Sequence, residues 1–327
     1  MRAALFWCCF CLAAPAFCQE AKPQASAEMV VLSGVVGEES LAEDFKAAIE
    51  SWEEAARKGD VKAVVVAPRA GSESSSASAA VDSQLVRFNR AVETLQPGGL
   101  IPLWLVMIGH GTFDGIDAKF NLEGPDLSAA HLVALLRGFT RPVVVVHCAS
   151  ASGAFLSALK APNRVVVTAT KSGFEQNYTR FGRAMAAAIG DVESDLDHDG
   201  QVSLLEAFLS AAHRVSDFYK SEGRMLTEHP LLDDNGDGKG TPAEWYRGVR
   251  PAKKSGDGVA LDGLRAHQIH LVANARDRAL TPEVRDKRDA LEFEIFKLRD
   301  KKPELGEAAY YGRLEKLLLE LGALYPP

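Results

Sequence analysis

Short apolar runs and amphipathic stretches alternate along the first two thirds of the chain. Met29–Val36, Lys62–Ala67, Leu100–Ile108, Val143–Cys148 and Arg164–Thr170 are rich in Val, Ile and Leu. Runs of this length without polar alternation predict strands buried on both faces. Between them, Leu41–Lys58 repeats Leu41, Phe45, Ala48, Ile49, Trp52 and Ala56 at helical spacing, and Gly59 stops it. Ser83–Leu95 sets Leu85, Phe88, Val92 and Leu95 on one helical face. Ser128 caps a helix running through Phe139, and Ser152–Lys160 and Phe181–Ile189 are two more. Thr112–Glu123 is polar and fits a small hairpin. Strands alternating with helices predict an α/β domain over residues 29–190, with a mostly parallel sheet flanked by helices.

The pattern changes beyond residue 250. Residues 251–280 read as a linker whose first part, Pro251–Gly258, is basic and flexible. Thr281-Pro282-Glu283 is a helix start, and Val284, Leu291, Ile295 and Leu298 mark one face. Pro303 and Gly306 break the pattern, and Tyr310–Leu324 resumes it. Residues 281–327 are therefore expected to form a helical hairpin that serves as a docking or scaffold element.

The N-terminal pattern points outside the cell. Residues 1–18 carry one positive charge and then an apolar stretch too short to span a bilayer, the arrangement of a signal peptide. The mature protein is expected to be secreted or periplasmic, with residues 19–28 a flexible lead-in. No later run reaches the ~20 residues of a membrane helix. Removing Arg2 with the leader takes the net charge from −7 to −8. That acidity disfavours nucleic acid and anionic membranes as partners. Four cysteines lie in the leader, so the mature chain keeps one, Cys148, and has no disulfide framework. The small-residue loop Gly71–Ala79 is a site open to nicking.

Candidate chemistry sits at two strand ends. One apolar run ends in Gly109-His110-Gly111, and a later one ends in His147-Cys148. Ligands gather at the carboxyl ends of parallel strands, and neighbouring strands are ~4.8 Å apart. An imidazole there is within reach of a thiol and can draw its proton. His147, of opposite parity to Cys148, is expected to be packed or at the surface. His131 and His213 read as ordinary helical residues.

An apolar strand ending in His-Gly, followed by one ending near Cys-x-Ser-Gly, resembles the caspase–legumain group of cysteine peptidases, the caspase-haemoglobinase fold. The resemblance covers residues 29–190. It implies an endopeptidase-like hydrolase acting on a peptide or protein, with His110 as base. Backbone N–H groups near Gly111 and the nucleophile would be the oxyanion donors. The match departs at one point. The Ser-Gly pair is Ser152-Gly153, so the family's cysteine position falls on Ser150, and Cys148 lies two residues early. Cys148 and Ser150 share strand parity and are expected on one face. Three readings stay open: Cys148 as nucleophile, Ser150 as nucleophile, or a retained fold without catalysis that binds its partner.

Residues 191–250 hold two acidic loops. Asp195, Asp197, Asp199, the Gln201 carbonyl, Ser203 through a water and a bidentate Glu206 match the twelve-residue EF-hand calcium loop, with Gly200 at its turn. Oxygen ligands in this number select Ca²⁺. The helix after this loop is expected over Leu204–Lys220. Asp233, Asn235, Asp237, the Lys239 carbonyl and Glu244 form a second candidate set, starting 38 residues later, near the spacing of paired EF-hands. Gly240, Pro242 and Pro230 depart from the helix-flanked pattern.

Overall fold

Alternate residues of each apolar run point to opposite faces of one sheet, and helices cover both faces. The structure, a computed structural model, describes residues 26–69, 82–253 and 261–325. The expected leader and the Gly71–Ala79 loop lie outside the described residues.

Seven strands form the main sheet. They are β1 (Glu28–Ser33), β2 (Lys62–Val66), β3 (Leu103–Ile108), β7 (Val143–His147), β8 (Arg164–Thr168), β9 (Leu231–Asp233) and β10 (Thr241–Pro242). A separate three-stranded sheet holds β4 (Gly111–Phe113), β5 (Ala118–Phe120) and β6 (Leu127–Ser128). The order in the main sheet is β10-β9-β8-β7-β3-β1-β2. Strands β8, β7, β3, β1 and β2 are parallel; β2 lies at the edge and is only partly buried, where its run predicts burial on both faces. β9 and β10 then extend the β8 edge with antiparallel pairing.

Met29, Val31, Trp104, Val106, Val144, Val146 and Cys148 face one core. That core also takes Phe45 and Trp52 of α1 (Ala42–Lys58), Phe181 and Met185 of α5 (Phe181–Ile189), and Phe208 of α6 (Leu204–Ser221). Val30, Leu32, Leu105, Met107, Val145 and Ala149 face the other core. There they meet Phe88 of α2 (Gln84–Glu93), Leu132 of α3 (Ala129–Leu136) and Phe155 of α4 (Gly153–Leu159). Each fully buried Val, Leu or Phe contributes about 1.5–3 kcal/mol. Helix starts follow local chemistry. Ser83 and Ser128 accept the Val86 and His131 N–H groups, and Ser203 closes a capping box with Glu206.

Part of the expected linker is built structure. Residues 261–280 carry α7 (Leu264–Gln268) and α8 (Ala275–Ala279), with Ala266 and Leu271 buried in the first core. Helices α9 (Pro282–Asp300) and α10 (Glu307–Gly322) form the C-terminal hairpin and bury Leu291, Leu298 and Tyr310. No helix of the described residues is long and apolar enough to cross a membrane.

Candidate functional site

Strands β3 and β7 are parallel neighbours, with Met107 opposite His147. His110 and Cys148 therefore leave the sheet at one edge, but their side chains part there. Cys148 keeps the parity of Val144 and Val146 and enters the core at 3% exposure. A Cβ placed on Gly182 would stand 2.6 Å from the Cys148 Cβ, so the thiol is held tightly from below. Burial, and then the charge of Glu228, push this thiol far above its ordinary range. A thiol so shifted keeps its proton near neutral pH, whereas the reactive form is the thiolate.

His110 is half-buried between Phe45 and Tyr178, at ring distances of 5.5 and 6.0 Å. Its Nε2 lies 3.0 Å from the Val36 carbonyl. A carbonyl only accepts, so Nε2 carries the proton and Nδ1 is the basic nitrogen. Among the described residues no hydrogen bond joins His110 to Cys148 or Ser150.

Strand β7 stops at His147, and this takes Ser150 away from the face that parity predicts for it. Ala151 turns the chain with a φ of 57°, and its N–H donates to the Glu175 carbonyl at 2.7 Å. Ser150 Oγ accepts the Gly111 N–H at 3.1 Å and donates to the Gly111 carbonyl at 3.2 Å. The hydroxyl is thus engaged on both sides, at 2% residue exposure. Gly111 is required by this approach, since a Cβ there would stand 2.4 Å from the Ser150 carbonyl oxygen. Ser152 accepts the Ala169 and Thr170 N–H groups and pins the same turn to β8.

His147, His131 and His213 have structural partners. His147 is packed against the Phe120 and Phe155 rings, and burial lowers its pKa to about 3. His131 bonds Asn89, and the exposed His213 pairs with Asp217. Glu228 was not legible beforehand. It is buried and accepts the Arg180 and Phe181 N–H groups and the Tyr219 hydroxyl. No periodicity or motif marks its loop. A cavity of about 450 Å³ opens beside it, walled by Leu209, Val215, Leu226, His229, Glu244 and Tyr246.

The first acidic loop is closed upon itself. Asp195 accepts the Asp199 N–H at 3.2 Å and the Gly200 N–H at 2.9 Å, and Gly200 takes a φ of 88°. Asp195, Asp197 and Asp199 each offer an oxygen, all within 4.8 Å of one another. Burial raises the Asp199 pKa. Glu206 accepts Leu196 and Asp197 N–H groups on Oε1, and the Ser203 N–H and hydroxyl on Oε2. Ser203 is therefore committed to capping α6 as well as sitting at its loop position.

The second loop is a strand–loop–strand hairpin between β9 and β10, with no flanking α-helix. Asp233 accepts the Gly236 and Gly238 N–H groups, Asn235 that of Asp237, and Asp237 that of Lys239. Burial, then Asp262, push Asp233 up to about 6. Glu244 is exposed on the 3₁₀ helix Ala243–Trp245. Among the described residues, the close grouping of three acidic or histidine ligand atoms seen in loop one has no counterpart here.

The two loops do not pair with each other. The segment 262–277 binds both. Asp262 accepts the Asp234 and Asn235 N–H groups, and Asp234 accepts the Ala266 N–H. On the other side, Ser203 bridges His270, and Leu204 N–H donates to the Ile269 carbonyl. Gln201, expected as a carbonyl ligand, also uses its side chain to bond Asp199, Asn274 and Asp277. His267 Nε2 lies 2.9 Å from Asp197 Oδ2. Their separation in sequence hid these partners from pattern reading.

No family model matches the chain, and no curated protein matches it. Solved structures do. A caspase-1 from Spodoptera frugiperda is similar at 11% identity and a TM-score of 0.41, covering 65% of this chain and 87% of its own. The Drosophila initiator caspase Dronc is similar at 9% identity and a TM-score of 0.40, covering 68% and 84%. A secreted C11 cysteine protease from Bacteroides thetaiotaomicron is similar at 9% identity and a TM-score of 0.38, covering 63% and 65%.

Proposed function

We propose that this chain is a calcium-stabilised protein with a caspase-type α/β domain that binds a peptide or protein and does not cleave it. One observation carries the reading. The Ser150 hydroxyl is bound twice to residue 111, and the N–H it occupies is the one an oxyanion would need. Cys148 supports it by turning into the core. The cavity beside Glu228 is the candidate ligand site. Calcium would bind in loop one. Ligand oxygens on a shell of 2.3–2.6 Å radius lie at most ~5 Å apart. The three aspartate oxygens, within 4.8 Å, fit that shell. Export by residues 1–18 would place the protein where calcium is plentiful.

The test is labelling of native protein with a fluorophosphonate and with iodoacetamide. The expected result is no label at Ser150 and none at Cys148 before unfolding. Stoichiometric fluorophosphonate labelling that disappears in Ser150→Ala would overturn the reading. It would point instead to a Ser150 hydrolase, with His110 as its base if the label is also lost in His110→Ala. The fixed His110 tautomer, with Nδ1 left as acceptor, is the observation that favours this second reading.

A further inference from the structure

An imidazole reaches loop one from outside it. His267, on α7, brings its Nε2 to 2.9 Å from Asp197 Oδ2. Asp197, Glu206 and His267 each offer one ligand atom, and the three atoms lie within 4.8 Å of one another. Two ligands at ~2.1 Å from a tetrahedral zinc are ~3.4 Å apart. The nitrogen–oxygen pair, at 2.9 Å, is a hydrogen bond that opens by ~0.5 Å when the ion enters between the two atoms.

We propose that Asp197, Glu206 and His267 form a mixed nitrogen–oxygen site for a first-row transition ion of the zinc type. The ligand set sets it apart from the calcium site. Calcium takes oxygen ligands, whereas imidazole with carboxylates suits zinc. The two ions compete, because both use Asp197 and Glu206. Access is open on one side, where His267 and Asp197 are 35% and 29% exposed. The anchor is fixed on the other, where Glu206 is buried and Ser203 holds its Oε2. On Oε1 the Asp197 N–H is the longer bond, at 3.2 Å against 2.8 Å for Leu196. The ion replaces that bond and the proton on His267 Nε2. Segment 262–277 positions the imidazole through the Ser203–His270 bridge and the Leu204–Ile269 bond.

The test is calorimetric titration of Zn²⁺ into the metal-free full-length protein, native and His267→Ala, with Ca²⁺ titrated separately. Co²⁺ absorption serves as a second readout. The expected result is one zinc per chain. Its affinity falls by roughly 10-fold or more in His267→Ala, while Ca²⁺ binding changes little. Prior Ca²⁺ weakens zinc. His213→Ala, on α6 and paired with Asp217, leaves zinc affinity as it is. Equal zinc affinity in native protein and His267→Ala overturns the site. Calcium binding without any His267-dependent zinc binding sinks this proposal alone and leaves the calcium reading standing.

Discussion

Ser150 and Gly111 hold each other twice, the serine hydroxyl accepting the glycine N–H at 3.1 Å and donating to its carbonyl at 3.2 Å. This pair stitches β4 to the turn that follows β7. A hydroxyl in that position acts as a fastener between two backbones. Removing it leaves a buried N–H and a buried C=O without their partner, at a cost of about 1–3 kcal/mol. Ser150→Ala should lower unfolding stability by that amount in urea titrations. Unchanged stability would mean that the stitch is dispensable.

Cys148 should resist iodoacetamide in the native protein and react at once in denaturant, with reaction followed by mass. Gly182→Ala probes the same packing without touching the thiol. Its new Cβ would meet the Cys148 Cβ at 2.6 Å. Overpacking of this kind costs about 1–3 kcal/mol. A neutral Gly182→Ala would show that the helix packed on Cys148 can move aside.

His147 predicts an acid limb of stability. Its folded pKa is lowered from 6.5 to about 3 by burial. In the unfolded chain it takes up a proton below 6.5, and in the folded protein only near 3. Acidification therefore favours unfolding between those values, by up to about 4–5 kcal/mol at the low end. The raised carboxyl of Asp233 acts in the opposite direction, so the comparison must be with a variant. His147→Leu should lose less stability than the native protein between pH 6.5 and pH 4. Parallel pH profiles in urea melts would remove His147 as the cause.

Calcium should raise the melting temperature by a few degrees at a hundredfold excess over Kd, where binding contributes about 2.7 kcal/mol. Glu206→Gln should lose most of the shift, since it removes a charge from loop one. Thermal melts in millimolar Ca²⁺ and in EGTA measure this. Identical native curves in both would make loop one an ordinary acidic turn.

Much of the scaffold is written locally in the chain. The five parallel strands and the helices between them follow from runs and repeats a few residues long. The structure keeps them with ends shifted by at most three residues. Ser128 could be read as a cap, and Thr281 as part of a helix start, because a cap acts on N–H groups two or three residues ahead. The spacing of Asp195, Asp197, Asp199 and Gly200 was legible for the same reason. Tertiary closure decided the rest. Parity places Cys148 correctly on a face but does not reveal that α5 lies against that face. It fails for Ser150, because the strand ends at His147 and Ala151 turns left-handed. His267 meets Asp197 across 70 residues of chain. β9 and β10 join the sheet edge rather than frame a helical loop. Such pairings depend on how distant segments pack, and no local period records them.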